Sequence, residues 1–321
     1  MKLNKEDILA GVFGLAIGDA VGVPFEFRRR DFVRNHNLNK MWGYGTHNQP
    51  KGTWSDDTSL VLATLDAMCG NVCSFGRVMD NFKAWLKLGK YTALGYRFDV
   101  GGTTARAIER YCAGADLACC GEDEEYSNGN GSLMRMLPVA YYIGLYRGLK
   151  IDENTVGMIG MYSSLTHSHA ISKECCVYYV YIALYLMAGG KDLGLQTAIK
   201  NAIEAVEAYY RAHGGSEVLK VRGIHSLKEV LAMSEEEIRS TGYVIDSLEA
   251  SLWCMYHSTG FKNAVCKAVG LGGDTDTIGA ITGSLAGLYY GYDKLPVIWM
   301  NALKNKTLIY SICDRFFEKY K

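Results

Sequence analysis

Proline is scarce. The 321-residue chain has four, Pro24, Pro50, Pro138 and Pro296, so little interrupts long helices, and a collagen-like or proline-rich chain is excluded. Net charge is missing too, with 34 Lys plus Arg against 34 Asp plus Glu. A balanced chain has no global field to draw it onto nucleic acid or an anionic bilayer, so a polyanionic partner must meet a local site. There is no CxxC pair of zinc spacing, and alternating strand-like runs are almost absent. The ten cysteines include the adjacent pairs Cys119-Cys120 and Cys175-Cys176, which suit reduced thiols better than a disulfide framework. Neither a signal peptide nor a membrane span is legible. Glu6 and Asp7 precede a short apolar run ending at Asp19, and the uncharged residues 277–292 fall short of the roughly 20 that a bilayer requires. A cytoplasmic chain without a membrane partner is expected.

What is present is helical periodicity, as in Ile8, Val12, Leu15 and Ala16, and again in Leu60, Leu62, Ala63 and Leu65. The spacing predicts helices at 5–20, 56–69, 76–88, 103–113, 132–146, 154–164, 169–188, 192–210, 226–234, 245–257, 260–268, 276–291 and, broken, 295–318. That makes an all-α chain. No linker or repeat divides residues 1–321, so one domain is expected. The Tyr-rich run 177–187 reads as a buried helix, because it is too long for a strand. Loops at 28–54, 114–131 and 211–224 are long enough to suggest function. Glycine recurs at every fourth position in Gly14, Gly18, Gly22 and in Gly279, Gly283, Gly287, Gly291. Each helical glycine costs roughly 1 kcal/mol against alanine. A stripe on one face therefore predicts close approach of another backbone, which would bring the ends of two such helices together.

Acidic pairs stand at two predicted helix starts. Trp54-Ser55-Asp56-Asp57-Thr58 precedes one helix, and Gly272-Gly273-Asp274-Thr275-Asp276-Thr277 precedes another. Taken singly, each is explained by capping and by the positive end of the helix. Taken together, they offer four carboxylates and two hydroxyls, which would repel one another at one place unless cations neutralised them. Oxygen donors without Cys or His suit hard ions such as Mg²⁺ or Mn²⁺. Spacing alone leaves both independent caps and a dinuclear centre open.

The ordered motifs Gly18-Asp19-Ala20 with Pro24-Phe25-Glu26, Trp54-Ser55-Asp56-Asp57-Thr58, Phe98-Asp99-Val100-Gly101-Gly102-Thr103-Thr104, Gly129-Asn130-Gly131-Ser132-Leu133-Met134-Arg135, Thr166-His167 and Gly273-Asp274-Thr275-Asp276-Thr277 resemble the ADP-ribosylglycohydrolase family, over about residues 7–300. The resemblance is to its dinitrogenase reductase-activating branch. It implies an all-helical fold and a centre of two Mg²⁺ or Mn²⁺ ions that cleaves ADP-ribose from modified targets. It assigns Ser55, Asp56, Asp57, Asp274, Asp276 and Thr277 to the metals, and Glu26 and Asp99 to catalysis. Gly129, Asn130, Ser132 and His167 are assigned to holding ADP-ribose. Gly102 departs from the family pattern, where Asn is common, and removes one hydrogen-bonding group.

The resemblance implies an ADP-ribosylated protein as substrate and ADP-ribose as product, with a monomer expected and no nucleic-acid partner. The Phe98-Asp99-Val100-Gly101 motif favours the N-glycosidic bond to arginine. Rival readings are an ADP-ribosylserine hydrolase, a non-catalytic ADP-ribose-binding or structural relative, and a dinuclear phosphohydrolase that cuts a P–O bond.

Overall fold

A computed structural model describes residues 1–70 and 74–321. Among these residues there are fifteen α-helices and no strand. In chain order they are α1 (Lys5–Gly22), α2 (Arg30–Arg34), α3 (Asp56–Met68), α4 (Phe75–Leu88) and α5 (Gly102–Cys112). Then come α6 (Leu137–Tyr146), α7 (Glu153–Ser164), α8 (Ala170–Leu193), α9 (Leu195–Ala212) and α10 (Glu217–Arg222). The last five are α11 (Val244–Tyr256), α12 (Phe261–Gly270), α13 (Thr275–Tyr290), α14 (Val297–Ala302) and α15 (Lys306–Tyr320).

Local chemistry starts and stops these helices. Asn4 and Asp7 close a capping box on α1, and Asp152 accepts the Thr155 N–H at 2.9 Å to start α7. Gly89, at φ 67°, ends α4. The helix expected from 132 begins only at Leu137, with Pro138 in its first turn and a separate 3₁₀ turn at Leu133–Arg135. Pro138 lacks an N–H and fits only a first turn, so the helix starts there. The helix expected at 226–234 is a single 3₁₀ turn, Val230–Ala232. Two short helices, α2 and α10, were not predicted. The break foreseen in 295–318 lies between α14 and α15, where Asn305 adopts φ 48°.

The glycine stripes form the centre of the packing. A Cβ on Gly14 would overlap the Gly283 carbonyl, one on Gly18 the Gly279 carbonyl, and one on Gly22 the Thr275 carbonyl. The pairing runs in opposite directions along the two chains, so α1 and α13 are antiparallel with backbones in contact. Gly291 lies outside this contact: at φ 97° it terminates α13. The antiparallel arrangement sets the C-terminal end of α1 against the start of α13, and places Asp19 and Glu26 near Asp274 and Asp276.

Two helices, α1 and α8, are long and apolar enough to cross a bilayer, but their apolar windows are 100% and 78% buried inside the protein. On α8 the side chains of Tyr178, Tyr179 and Tyr181 are core, and the Tyr179 hydroxyl lies 2.7 Å from Ser284 Oγ on α13. All nine described cysteines are free.

Candidate functional site

The starts of α3 and α13 and the loops at 26–27, 99–101 and 129–131 converge on a cleft of about 270 Å³. Its wall includes Glu26, Asp56, Asp99, Asn130, Asp274 and Thr277, with Asp57 and Asp276 almost fully buried beside them. The two predicted acidic segments therefore do meet, joined by Thr277 Oγ1, which lies 3.3 Å from Asp57 Oδ2.

The α3 start is capped from Ser55 and Asp19, and at the start of α13 Asp276 Oδ1 accepts the Thr277 N–H at 2.9 Å. Asp19, buried within α1, accepts the Ser55 N–H at 2.9 Å and the Thr58 N–H at 3.1 Å, and the Thr58 hydroxyl at 2.6 Å. Asp19 therefore neutralises the start of α3 from another helix. Ser55 accepts the Asp57 N–H at 3.3 Å and donates to Asp57 Oδ2 at 3.0 Å. At the start of α13, Asp274 makes no capping bond. Its Oδ2 accepts from Asn130 Nδ2 at 2.7 Å. The capping explanation that fits each segment alone thus does not hold for Asp56, Asp57 or Asp274.

Ligand atoms fall into two sets, each with all its members within 4.8 Å of one another: Asp19 with Asp57 and Asp276, and Glu26 with His47, Asp99 and Asp276. Asp276 belongs to both. Burial, then crowding by neighbouring carboxylates, pushes Asp56, Asp57 and Asp276 well above the ordinary range. Burial raises Asp19 and Glu26 to about 7, and raises Asp99 and Asp274 as well. Two buried oxygens, Asp57 Oδ1 and Asp276 Oδ2, have no hydrogen-bond partner. Buried carboxylate oxygens rarely stand unpaired. A crowd of acids with free lone pairs and adjacent hydroxyls fits hard cations, so these groups can hold metal ions.

Glu26 is 6% exposed rather than solvated beside Arg28 and Arg29, and its Oε2 is hydrogen-bonded to His47 Nε2. The bond to Glu26 raises His47 against the effect of burial. Asp99 Oδ2 lies 4.0 Å from the same nitrogen. His47 thus sits between the two predicted catalytic acids.

The residues predicted to hold ADP-ribose divide. Gly129 and His167 line the cleft. Asn130 also lines it, but its amide donates to Asp274 and, at 2.8 Å, to Ser247 Oγ. Ser132 does not reach the cleft: it is fully buried, accepts from Ser163 Oγ at 2.9 Å and lies 3.5 Å from Cys176 Sγ. It stands just before the 3₁₀ turn Leu133–Arg135 with its hydroxyl turned into the core.

His167 is held in one form by its partners. Arg135, fully buried, donates from Nη2 to Thr166 Oγ1 at 2.8 Å. An arginine can only donate, so the threonine proton goes to the other neighbour, His167 Nδ1, at 2.8 Å. That leaves the ring proton on Nε2, which lies beside Gly129 and Gly131. Burial and the Arg135 charge push His167 down to about 3. The imidazole is therefore a neutral donor toward the cleft.

Sequence reading missed the parts played by Asp19 and His47. A lone acid in the otherwise apolar run 8–22 was the available signal for Asp19. His47 stands in a loop shaped by positive φ at Tyr44 and Asn48, and no spacing pattern marks it.

An all-helical frame that gathers buried acids at one cleft is the setting of a hydrolase of the type the motifs resemble. The family model described as ADP-ribosylglycohydrolase matches residues 2–321, and the chain belongs to that family. It is 30% identical over 309 residues to ADP-ribosylarginine hydrolase Tri1 of Serratia proteamaculans, covering 95% of this chain and 77% of that protein. It is 26% identical to ADP-ribosyl-[dinitrogen reductase] glycohydrolase of Rhodospirillum rubrum, covering 93% and 90%. A solved structure titled ADP-ribosylglycohydrolase-related protein complex superposes with a TM-score of 0.77 at 26% identity, covering 99% of both chains.

Proposed function

We propose that the protein hydrolyses the N-glycosidic bond between ADP-ribose and an arginine side chain of a modified protein, with two Mg²⁺ or Mn²⁺ ions held at the cleft. The observation that carries this reading is the convergence of acids from α1, α3 and α13, with two buried carboxylate oxygens left unpaired. The names of the Serratia and Rhodospirillum relatives support the activity.

Ser55, Asp56, Asp57, Asp274, Asp276 and Thr277 would hold the ions. Bound there, the ions would supply positive charge that offsets the acids and orients oxygen ligands. The chain's own groups do the rest. Asn130 holds Asp274 in place, and Asp19 secures the start of α3 under Asp56 and Asp57. His167 offers its Nε2–H to an anionic oxygen of ADP-ribose, near the Gly129 and Gly131 backbone. Glu26, paired with His47, takes a proton from the attacking water as the anomeric C–N bond breaks. Asp99 faces the departing guanidinium, which a carboxylate matches with two parallel hydrogen bonds. The bond's electron pair stays on the leaving nitrogen, which regains one proton, the one Glu26 took from water passing to it directly or through solvent, so arginine departs as its guanidinium and ADP-ribose as the free sugar.

The test is incubation with ADP-ribosylarginine and ADP-ribosylserine, with Mg²⁺, Mn²⁺ or EDTA, and identification of the product. Release of ADP-ribose from the arginine conjugate only with metal supports the reading. Asp99→Ala should lower turnover of that conjugate about 100-fold, the scale of one lost acid/base or positioning group, while ADP-ribose affinity changes little. Hydrolysis confined to the serine conjugate would refute the linkage, and a cleaved P–O bond would refute the glycosidic chemistry.

A further inference from the structure

We propose that an arginine-lined cavity beside the cleft is the docking surface for an acidic segment of the modified protein, next to the arginine that carries ADP-ribose. This rests on the arginine-protein reading above and extends it to the partner.

The cavity measures about 670 Å³, and its charged lining is Arg28, Arg29, Arg30, Arg34 and Arg239 with a single acid, Asp31. Five positive groups against Asp31 and the Glu235 that pairs with Arg34 leave a surplus of three, in a chain whose total charge is balanced at 34 each. The hollow is therefore the local basic site that the neutral composition requires of any polyanionic partner.

Its walls are built rather than incidental. Arg30 gives its guanidinium to three backbone carbonyls, Leu271 at 3.1 Å, Glu235 at 2.6 Å and Ile238 at 2.6 Å. That ties the segment after Glu26 to the segments at 235–238 and 271. Arg34 pairs with Glu235, and Arg29 meets Asp31 at 3.3 Å in an exposed pair of little strength. Among the described residues, Arg28 and Arg239 have no acid in contact; the Arg28 guanidinium lies 5.6 Å over the Phe32 ring. Arg28 thus carries no close acid, and Arg239 meets only the longer-range charge of buried Glu249.

Phe27 connects this cavity to the chemistry. It lines both the cleft and the arginine cavity. Its side chain is 71% exposed and its backbone sits at φ 63°, held by its N–H on the Gly273 carbonyl at 2.7 Å. An exposed aromatic in the left-handed region is unfavourable twice, through strain and through apolar surface in water. Such a residue at a cleft mouth suits contact with a substrate that covers it. Within three residues the chain passes from the buried acid Glu26, over the exposed ring of Phe27, to the unpaired cation Arg28. A protein whose modified arginine enters the cleft must lay its neighbouring residues across that ridge. A hollow of this volume is roughly 11 Å across if spherical, about the span of three or four extended residues. The recognised acids would accordingly lie within about four positions of the modified arginine.

The experiment uses the full chain with metal and three substrates: ADP-ribosyl-L-arginine, and two peptides each carrying one ADP-ribosylated arginine, one with acidic and one with neutral flanks. The acidic peptide should have a KM about tenfold below that of the neutral one, and the preference should vanish at about 0.5 M salt, where surface charges are screened. The double variant Arg28→Glu/Arg239→Glu should raise KM for the acidic peptide at least tenfold and leave ADP-ribosyl-L-arginine unchanged. Arg28→Ala/Arg239→Ala should raise it about threefold, and its unchanged melting temperature would show that the frame persists. Equal KM for both peptides in the parent protein, or an equal loss on the free conjugate in the variants, would overturn the proposal. Inhibition by RNA equal to that by an unmodified acidic peptide would overturn the assignment to protein. If the free conjugate is not hydrolysed at all, the arginine reading fails by itself. Anisotropy of the labelled, unmodified acidic peptide then decides the cavity: binding lost in the charge-reversal variant supports it, and no binding to the parent protein overturns it.

Discussion

Gly18→Ala and Gly283→Ala should destabilise the protein, although alanine is the better helix former. In an open helix the exchange gains about 1 kcal/mol. At Gly18 the new methyl would fall on the Gly279 carbonyl and close to the Ala280 nitrogen, and at Gly283 on the Gly14 carbonyl. Both sides of each contact are backbone, so no rotamer change relieves it and the helices must separate. Overpacking a tight core costs about 1–3 kcal/mol, and backbone contact places these sites at the upper end. The net loss should be about 1–2 kcal/mol, or a melting temperature lower by several degrees. Gly157, on the exposed face of α7 with nothing within 4 Å of its would-be Cβ, supplies the opposite sign: Gly157→Ala should raise stability by up to about 1 kcal/mol. Calorimetry in EDTA measures all three. A metal titration should also show weaker binding in the stripe variants, because a shift of α13 against α1 moves Asp276 away from Asp19. If Gly18→Ala melted at or above the parent, as Gly157→Ala should, the backbone contact would be refuted.

Asp56→Asn and Asp276→Asn should remove turnover and lower Mn²⁺ affinity by about tenfold or more with far-ultraviolet circular dichroism unchanged; full activity at limiting metal would count against the dinuclear centre. Metal-free protein should lose stability as pH rises. Burial lifts Asp19 and Glu26 to about 7, so the folded chain holds these protons more tightly than the unfolded one, and the stabilisation is full below about pH 4 and lost as pH climbs through about 7. Melting temperatures in EDTA that rise across this window would contradict the linkage. Thr166→Val should weaken ADP-ribose binding about tenfold and shift the His167 ring nitrogens in ¹⁵N spectra toward the other tautomer, whereas Thr166→Ser should do neither. An Nδ1–H imidazole in the parent protein would refute the Arg135–Thr166 arrangement.

The helices were legible where period and caps agreed. Ser55 caps α3, which starts at Asp56 as the spacing predicts, and the four-residue glycine spacing foretells the contact of α1 with α13. The start of α6 was misplaced because apolar periodicity continues through Leu133, Met134 and Met136, although Pro138 fixes the first turn. The segment 226–234 has helical spacing but only one 3₁₀ turn, since Glu207 takes the Ser226 hydroxyl and the Leu227 N–H at 2.8 and 2.9 Å and fixes another path. In the site, the paired acids were readable because each stands at a helix start. His47 was not, because its position depends on loop backbone and on Glu26, 21 residues away. Ser132 shows the reverse error: a motif position predicts proximity to the cleft but not the direction in which a side chain turns.

The pairing of α1 with α13 also governs the order of events during synthesis. Gly22 meets Thr275, and the chain between them contains 252 residues. At a translation rate of roughly 5–20 residues per second, α1 would wait about 13–50 s for the surface that covers its glycine face. During that interval the glycine face of a helix with the composition of a membrane span stays uncovered. The acids of α1 and α3 likewise stay apart from Asp274 and Asp276 until the last fifth of the chain emerges. A ribosome-bound intermediate should therefore engage chaperones through residues 5–22, and the centre for metal ions can be completed only after almost the whole chain has been made.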